Sequence, residues 1–255
     1  FIFVLIGMGG GAIGAAFDHW TLYLSQQRAK YLAGRSHPEA WRVLELVAIV
    51  SLWTTISFVV PLMFKTTCTE KPQTSDDWDP QEDGLVEELV QFQCGEGQFN
   101  QLASLTLVNS DVALQQFFHF HYSDGSNSST FDWYTLLVFF LIYFSFAIVA
   151  AGSFCPAGLF VPTLVSGAAI GRLLGHSFNS MAYGYVADSG TYSLLGAAAV
   201  LGGMSRMTIC GVVIMLEASG NNRYLLPLML VFASARYTGN IWNQGMYDMQ
   251  IALKG

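Results

Sequence analysis

The sequence predicts an all-α membrane protein that crosses the bilayer several times with broken and tilted helices. Of its 255 residues, 53% are hydrophobic and 11% are charged, and the mean hydropathy is +0.42. Soluble domains carry roughly 25% charged residues, because their surface must face water. The apolar residues also form runs that approach the length of about 20 residues needed to cross a bilayer core. Lipid is therefore the expected environment, and no enzymatic activity is expected.

Six apolar runs are candidate membrane helices. Four are clear and two are ambiguous; the clear ones are 1–24, 42–64, 133–151 and a short run that begins near Phe160, and the ambiguous ones are 192–218 and 223–238. Arg206 and the preceding Gly202-Gly203 pair interrupt 192–218, which predicts two helices there instead of one. Because Phe1 already lies inside an apolar run without a basic leader, we expect the chain to be an excerpt of a longer protein.

Charged residues indicate which face of the membrane each connection occupies. Arg28, Lys30, Arg35 and Arg42 surround the connection between the first two runs, so the positive-inside rule predicts that loop 25–42 is cytoplasmic. The region 65–130 then falls on the luminal or extracellular side, as an acidic loop region whose carboxylates crowd into residues 70–88. Since no long run of Lys and Arg occurs, binding to nucleic acid is not expected.

The outer region also contains residues suited to an oxidising compartment. Cys68 and Cys94 can form a disulfide there, although spacing alone does not establish which cysteines pair. Asn127 begins an Asn-Ser-Ser glycosylation sequon. By contrast, Cys155 and Cys210 lie in apolar runs and are expected to act as small buried hydrophobes. The pair His119-x-His121 is too weak a pattern to predict a metal site.

The stretch 152–162 is the strongest candidate for a functional site. Residues 133–171 contain no Asp, Glu, Lys, Arg or His, yet two prolines and two glycines fall within 152–162. Irregular backbone among apolar helices is tolerated where protein buries it or where it lines an aqueous cavity, because unsatisfied peptide groups are costly in hydrocarbon. A helix kinked by proline, with no ligand, is the structural alternative.

A new helix is expected to start at this break. Pro162 suits a first helical turn, where its missing N–H would have no partner. The amides of Leu159, Phe160 and Val161 would then carry the positive end of the helix dipole and hold an anion without a formal charge. Gly158 would let the backbone approach the anion closely.

Small residues at four-residue spacing predict close helix packing around this segment. Gly167, Gly171 and Gly175 share one helical face, and Gly7 and Gly11 repeat the pattern in the first run. Such spacing allows helix backbones to approach each other in lipid. It indicates packing and does not identify a ligand.

Three stretches together resemble one family of membrane proteins. The run GSFCPAGLFVPTLVSGAAIGRLLG resembles the second-half signature of CLC chloride channels and chloride/proton exchangers, in which G-x-F-x-P opens a helix. The runs LLGAAAVLGGMSRMTICGVVIMLEAS and NQGMYDMQIALKG resemble the family's following helices in order and spacing. The sequences of these stretches are most similar to those of family members from intracellular organelles of animals and plants. Residues 1–255 would be the C-terminal half of the membrane domain, with 152–175 as the anion-site helix and 239–255 as the last membrane helix.

The resemblance implies specific roles for residues of this chain. Chloride, as transported ligand and not as a cofactor, would bind the amides of Leu159 and Phe160 and the hydroxyl of Tyr247, while Gly158, Val161 and Pro162 would supply supporting backbone. The protein would be a homodimer with part of its interface within 205–238. It would reside in an endosome-, lysosome- or vacuole-like organelle or in the plasma membrane.

Other polar residues in or near the apolar runs receive structural roles. Arg172 is expected to extend to the interface or cap helix carbonyls, Glu217 to cap a neighbouring helix, and Asp248 to stabilise the start of its own helix. For Tyr247, the commoner alternative is a tyrosine of the interfacial belt.

Elements of the family outside this chain limit what can be predicted. No G-S-G-I-P or G-x-E-G-P motif occurs among the 255 residues, so a partner half with the gating and proton glutamates, and cytoplasmic regulatory domains, are expected elsewhere. The chain alone is not expected to transport, and channel versus exchanger stays open. The alternatives are a carrier for an anionic organic solute, since broken helices also bind carboxylates, and a membrane scaffold without transport.

Overall fold

Helices make up nearly all of the fold. The structure is a computed structural model that describes residues 2–33, 38–64, 68–71, 88–119, 131–153, 158–181 and 189–254. Within these ranges the elements are α1 Ile2–Ala33, α2 Pro38–Met63, β1 Cys68–Glu70, β2 Gln98–Asn100, α3 Gln101–Thr106, α4 Ser110–His119, α5 Trp133–Ala151, α6 Phe160–Met181, α7 Ser189–Ser205, α8 Ile209–Ser219, a 3₁₀ helix Asn222–Tyr224, α9 Leu225–Trp242 and α10 Met246–Lys254. The predicted all-α class is confirmed.

Three helices of the described chain are long and apolar enough to cross a membrane. They are formed by Ile2–Tyr31, Glu39–Met63 and Trp133–Ala151. The third coincides with its predicted bounds. The first runs beyond residue 24 to Ala33, and the second starts at Pro38, so the predicted loop 25–42 is mostly helical. Proline is well placed at the first position of a helix, which explains the earlier start of α2.

α7 forms the centre of the described core. Its residues from Tyr192 to Ser205 are all buried, and α1, α6 and α9 pack around it. A Cβ atom on Gly167 would lie 2.7 Å from Cα of Ala197, and one on Gly14 would lie 2.6 Å from the carbonyl carbon of Gly203. These distances leave no room for a side chain, so the predicted packing through small residues is confirmed.

The outer region contains more structure than the predicted loop. β1 and β2 pair antiparallel, and Cys68 and Cys94 form a disulfide with Cα atoms 5.8 Å apart. Asn100 caps α3, its Oδ1 accepting from the amides of Leu102 at 3.1 Å and Ala103 at 3.2 Å. The helices α3 and α4 form because this part of the chain also has apolar faces to bury. Asn127, most of the acidic cluster, His121 and Cys155 lie outside the described residues.

The C-terminal helices are broken where glycine and arginine interrupt the sequence. α7 and α8 are separate helices, as predicted for 192–218, and Arg206 between them has a left-handed φ of +58°. The last helix was predicted at 239–255, and its predicted start is wrong. Gly239–Trp242 belong to α9, and α10 begins at Met246 after Asn243 adopts an extended backbone, with φ −158° and ψ 175°.

Candidate anion site at a broken helix

The predicted break between two helices is present. α5 ends at Ala151, with Gly152 as its C-cap, and α6 begins at Phe160. Residues 154–157 of the intervening segment lie outside the described ranges. A continuous helix through 152–162 is therefore excluded, and the chain has a helix N-terminus where the sequence predicted one.

Free backbone amides stand at the start of α6. Thr163 is the first of its residues to donate to a described carbonyl, that of Leu159, at 3.3 Å. Pro162 occupies the first turn and has no N–H to satisfy. The amides of Leu159, Phe160 and Val161 come before that first bond, and within the described ranges they have no acceptor. Among the described residues, no carbonyl or side chain takes up these N–H groups.

Two hydroxyls bind the carbonyls of this first turn. Thr163 Oγ1 donates to the carbonyls of Leu159 at 2.9 Å and Phe160 at 2.8 Å. Ser166 Oγ donates to the carbonyl of Pro162 at 2.7 Å. Both hydroxyls therefore face their own helix, and the donors that this turn presents forward are peptide N–H groups.

The side chains at this N-terminus are apolar and anchored. Leu159 is buried, and Phe160 and Val161 are half-buried against the hydrophobic core. Gly158 is exposed, and a Cβ atom placed on it would meet nothing within 4 Å. The space in front of Gly158 is thus open in the described chain, which makes room for a ligand beside the free amides.

Arg172 is engaged away from the site, and Arg28 lies beside the end of α5. Arg172 lies about 18 Å along α6 from Phe160, given 1.5 Å per helical residue. Its Nη1 donates to the carbonyls of Gln116 at 3.0 Å and Phe117 at 2.8 Å near the end of α4, which confirms the predicted capping role. Arg28 passes beside Gly152 and pairs with Glu45, at 2.6 Å between Nε and Oε1.

Tyr247 lies in the first turn of α10. Its neighbour Met246 is buried, and the face formed by Met246, Met249 and Gln250 borders a small cavity of about 30 Å³ together with α1 and Ala151. This places α10 beside the end of α5, where the break begins. The Tyr247 side chain is 40% exposed, and its hydroxyl has no hydrogen-bond partner among the described residues. The structure does not join it to the α6 amides by a hydrogen bond.

The capping role predicted for Glu217 is not observed in the described chain. Its side chain is exposed near the end of α8, and Tyr224 at the start of α9 receives no side-chain cap. α8 instead ends at Gly220, which adopts a left-handed φ of +62° and donates to the carbonyls of Leu216 and Glu217. A glycine C-cap satisfies the last carbonyls without help from an acidic side chain.

Sequence analysis missed a buried polar contact near α10. Asp18 of α1 is fully buried, with a carboxylate oxygen 3.7 Å from Nη2 of Arg206. An aspartate inside the otherwise apolar run 1–24 was the available signal, because ionisable residues in membrane segments are rare and functional by default. Its partner was not visible, since the two residues are far apart in sequence.

Comparison with known proteins identifies the family. Residues 1–240 match the voltage gated chloride channel family. The chain belongs to this family. A CLC relative in Homo sapiens, H(+)/Cl(-) exchange transporter 7, is 33% identical over 254 residues, which cover 99% of this chain and 29% of the relative. Chloride channel protein CLC-d of Arabidopsis thaliana is 33% identical over 253 residues, covering 98% of this chain and 31% of the relative.

A solved structure supports the CLC fold. The crystal structure of a eukaryotic CLC transporter superimposes with a TM-score of 0.61 at 19% identity, covering 99% of this chain and 34% of that one. The chain thus has the fold of a CLC membrane segment and spans about three tenths of the length of the curated relatives it matches.

Proposed function

We propose that this chain forms part of a transmembrane chloride pathway, in a CLC-type channel or chloride/proton antiporter. The observation that carries the proposal is the start of α6, where the amides of Leu159, Phe160 and Val161 have no acceptor among the described residues and the neighbouring Gly158 is exposed. A helix N-terminus of this kind attracts anions through its dipole and its unpaired N–H groups. The amides of Leu159 and Phe160 are the proposed chloride donors.

The chemistry of the site suits an ion that must leave again. Residues 133–171 contain no Asp, Glu, Lys, Arg or His, so within this stretch a chloride ion at the α6 amides would be held by partial charges. Conduction requires binding that is strong enough to replace water and weak enough to release the ion. The neutral phenol of Tyr247 adds one hydrogen-bond donor and fits this requirement.

A carrier for an organic anion is less well supported. Such a carrier needs polar groups that recognise the rest of its substrate, beyond the carboxylate. At the start of α6 the described side chains are Leu159, Phe160 and Val161, which offer no such groups. The apolar surroundings favour a small spherical anion.

The proposed assembly is a homodimer with an interface within 205–238. α8 and α9 supply an exposed apolar surface in this range; its most exposed members are Ile209, Tyr237 and Leu226. Two copies of this surface would bury each other in a two-fold arrangement. First-half membrane helices and cytoplasmic regulatory domains are further proposed partners.

We further propose a location in an organelle of the endosome, lysosome or vacuole type, or in the plasma membrane. The Cys68–Cys94 disulfide supports a luminal or extracellular position for the outer region, because disulfides persist in oxidising compartments. The connection between α1 and α2 would then be cytoplasmic.

A flux experiment on the full-length protein tests the proposed function. Purified protein in liposomes is expected to release chloride, and external glutamate should neither be transported nor compete. Glutamate uptake with no chloride release would contradict the chloride pathway in favour of the organic-anion carrier. Absence of both fluxes, from protein that elutes as a single folded species, would favour a scaffold.

A further inference from the structure

Arg206 connects α1, α7 and the segment that leads into α10. Its side chain is 9% exposed, and Nη2 donates to Asn243 Oδ1 at 2.5 Å and to the carbonyl of Asn243 at 3.4 Å. Asn243 Nδ2 in turn donates to the carbonyl of Ala15, in α1, at 2.8 Å. Hydrogen bonds to a charged group are stronger than neutral ones. The guanidinium therefore fixes the side chain of Asn243, and Asn243 in turn holds the connection between α9 and α10 against α1.

Asp18 lies beside this contact on the α1 side. Its carboxylate is fully buried and lies 3.7 Å from Nη2 of Arg206, which is an ion-pair distance and longer than a hydrogen bond. Neither oxygen has a hydrogen-bond partner in the described chain. Because the buried carboxyl group lies against the guanidinium on the α1 side, Asp18 limits the orientations of Arg206 to those that reach Asn243.

The connection between α9 and α10 is built around the Arg206 side chain. A Cβ atom on Gly245 would lie 2.7 Å from Cγ of Arg206, and one on Gly239 would overlap Nη1. Arg206 itself has a left-handed φ of +58°, which a non-glycine residue rarely adopts. The backbone and the two glycines thus place the guanidinium between the end of α9 and the start of α10.

We propose that Asp18, Arg206 and Asn243, here called the Arg206 cluster, position the hydroxyl of Tyr247. α10 has nine residues, and a helix so short is not stable by itself in isolation. Its direction depends on its attachments, and Asn243 is only four residues from Tyr247. The inference rests on the proposed function, in which Tyr247 binds chloride. The three residues are positioning residues, because none of them is placed against the anion.

Chloride titration of the purified full-length protein tests the inference. Asn243→Ala should weaken chloride binding by about tenfold, the factor expected when a hydrogen bond that orients a ligand group is lost. Asn240→Ala is the matched control, because Asn240 is exposed in α9, three residues before Asn243, and its side chain makes no hydrogen bond in the described chain. This control should bind chloride as the wild type does.

A double-mutant cycle with Tyr247→Phe separates positioning from general damage. Once the hydroxyl is gone, Asn243→Ala should change chloride affinity by less than about twofold, because effects that act through one group are not additive. Asp18→Asn keeps the side-chain shape and serves as the second variant if Asn243→Ala does not fold. It should weaken chloride binding in the wild type and have no such effect in Tyr247→Phe.

The outcomes distinguish this inference from the proposed function. Wild-type affinity in a folded Asn243→Ala variant, or equal weakening with and without the Tyr247 hydroxyl, would overturn the positioning role and leave the chloride site intact. Unchanged affinity in Tyr247→Phe alone would remove Tyr247 from the site, and the positioning role would be overturned with it.

Discussion

The start of α6 and the Arg206 cluster are both polar features among apolar helices, and they are built differently. The α6 site consists of uncharged amides that have no acceptor among the described residues. In the Arg206 cluster, the Asp18 carboxyl group lies 3.7 Å from the guanidinium of Arg206, and both side chains are buried. Buried polar side chains that face each other fix the fold, whereas backbone dipoles without a partner stay available to a mobile ligand. Under the proposed function, the α6 site would hold the ion, and the Arg206 cluster would hold the helices in place.

Arg206→Met should give the largest loss of stability. It leaves the Asp18 carboxylate buried without its partner, which costs about 3–5 kcal/mol. The measurement is the free energy of unfolding of the full-length protein in detergent, followed by tryptophan fluorescence. The control is Asp18→Leu with Arg206→Met, which should recover most of the loss because no charge remains buried. Equal instability of the single and double variants would contradict a charge-pair role.

Arg172→Met should be the next most damaging change. It removes two charge-assisted hydrogen bonds to the end of α4 and the contact with the Phe131 ring, whose centroid lies 5.3 Å away. The expected loss is about 2–3 kcal/mol of stability, with chloride affinity unchanged in the folded fraction. Loss of chloride binding without loss of stability would instead place Arg172 in the anion site.

Gly158→Val changes the α6 site, and it should have a large effect on transport and a small effect on folding. Its side chain would enter the open space in front of the α6 amides, where nothing lies within 4 Å. Chloride flux should fall by at least about tenfold, equivalent to 1.4 kcal/mol, while the unfolding temperature stays near that of the wild type. Gly158→Ala, with a smaller side chain, should give a chloride flux between those of the wild type and Gly158→Val. Wild-type flux in Gly158→Val would contradict a ligand position beside this glycine.

Tyr247→Phe should have the smallest effect on stability. The hydroxyl has no partner among the described residues and the side chain is 40% exposed, so the free energy of unfolding should change by less than about 0.5 kcal/mol. Chloride affinity, measured by calorimetry, should nevertheless fall about five- to tenfold. A stability loss comparable to that of Arg206→Met would show that Tyr247 belongs to the packing and not to the ion.

Local patterns in the sequence were enough for much of the fold and for the start of the α6 site. The apolar run 133–151 gave the bounds of α5, and the prolines and glycines of 152–162 located the break. The glycines at 167 and 171 predicted close helix packing, and the structure shows that the partner is α7. These features depend on short stretches of chain, where helix propensity and steric limits act directly.

Long-range contacts account for what the sequence did not indicate. Asn243 donates to the carbonyl of Ala15 across 228 residues, and no local pattern at either residue announces that contact. The same contact explains why α10 begins at Met246 and not at 239. The helices α3 and α4 were missed because their apolar faces are short and lie next to an acidic stretch that is typical of a loop.

Anomalous diffraction from bromide-soaked crystals of the full-length protein tests the central claim most directly. Bromide has the same charge as chloride and a similar size, and its anomalous scattering locates it in the crystal. The account predicts a bromide peak within about 3.5 Å of the amide nitrogens of Leu159 and Phe160, a distance typical of anion contacts to backbone N–H groups. Well-ordered α6 amides with no bromide beside them, or amides bonded to other protein carbonyls, would contradict it.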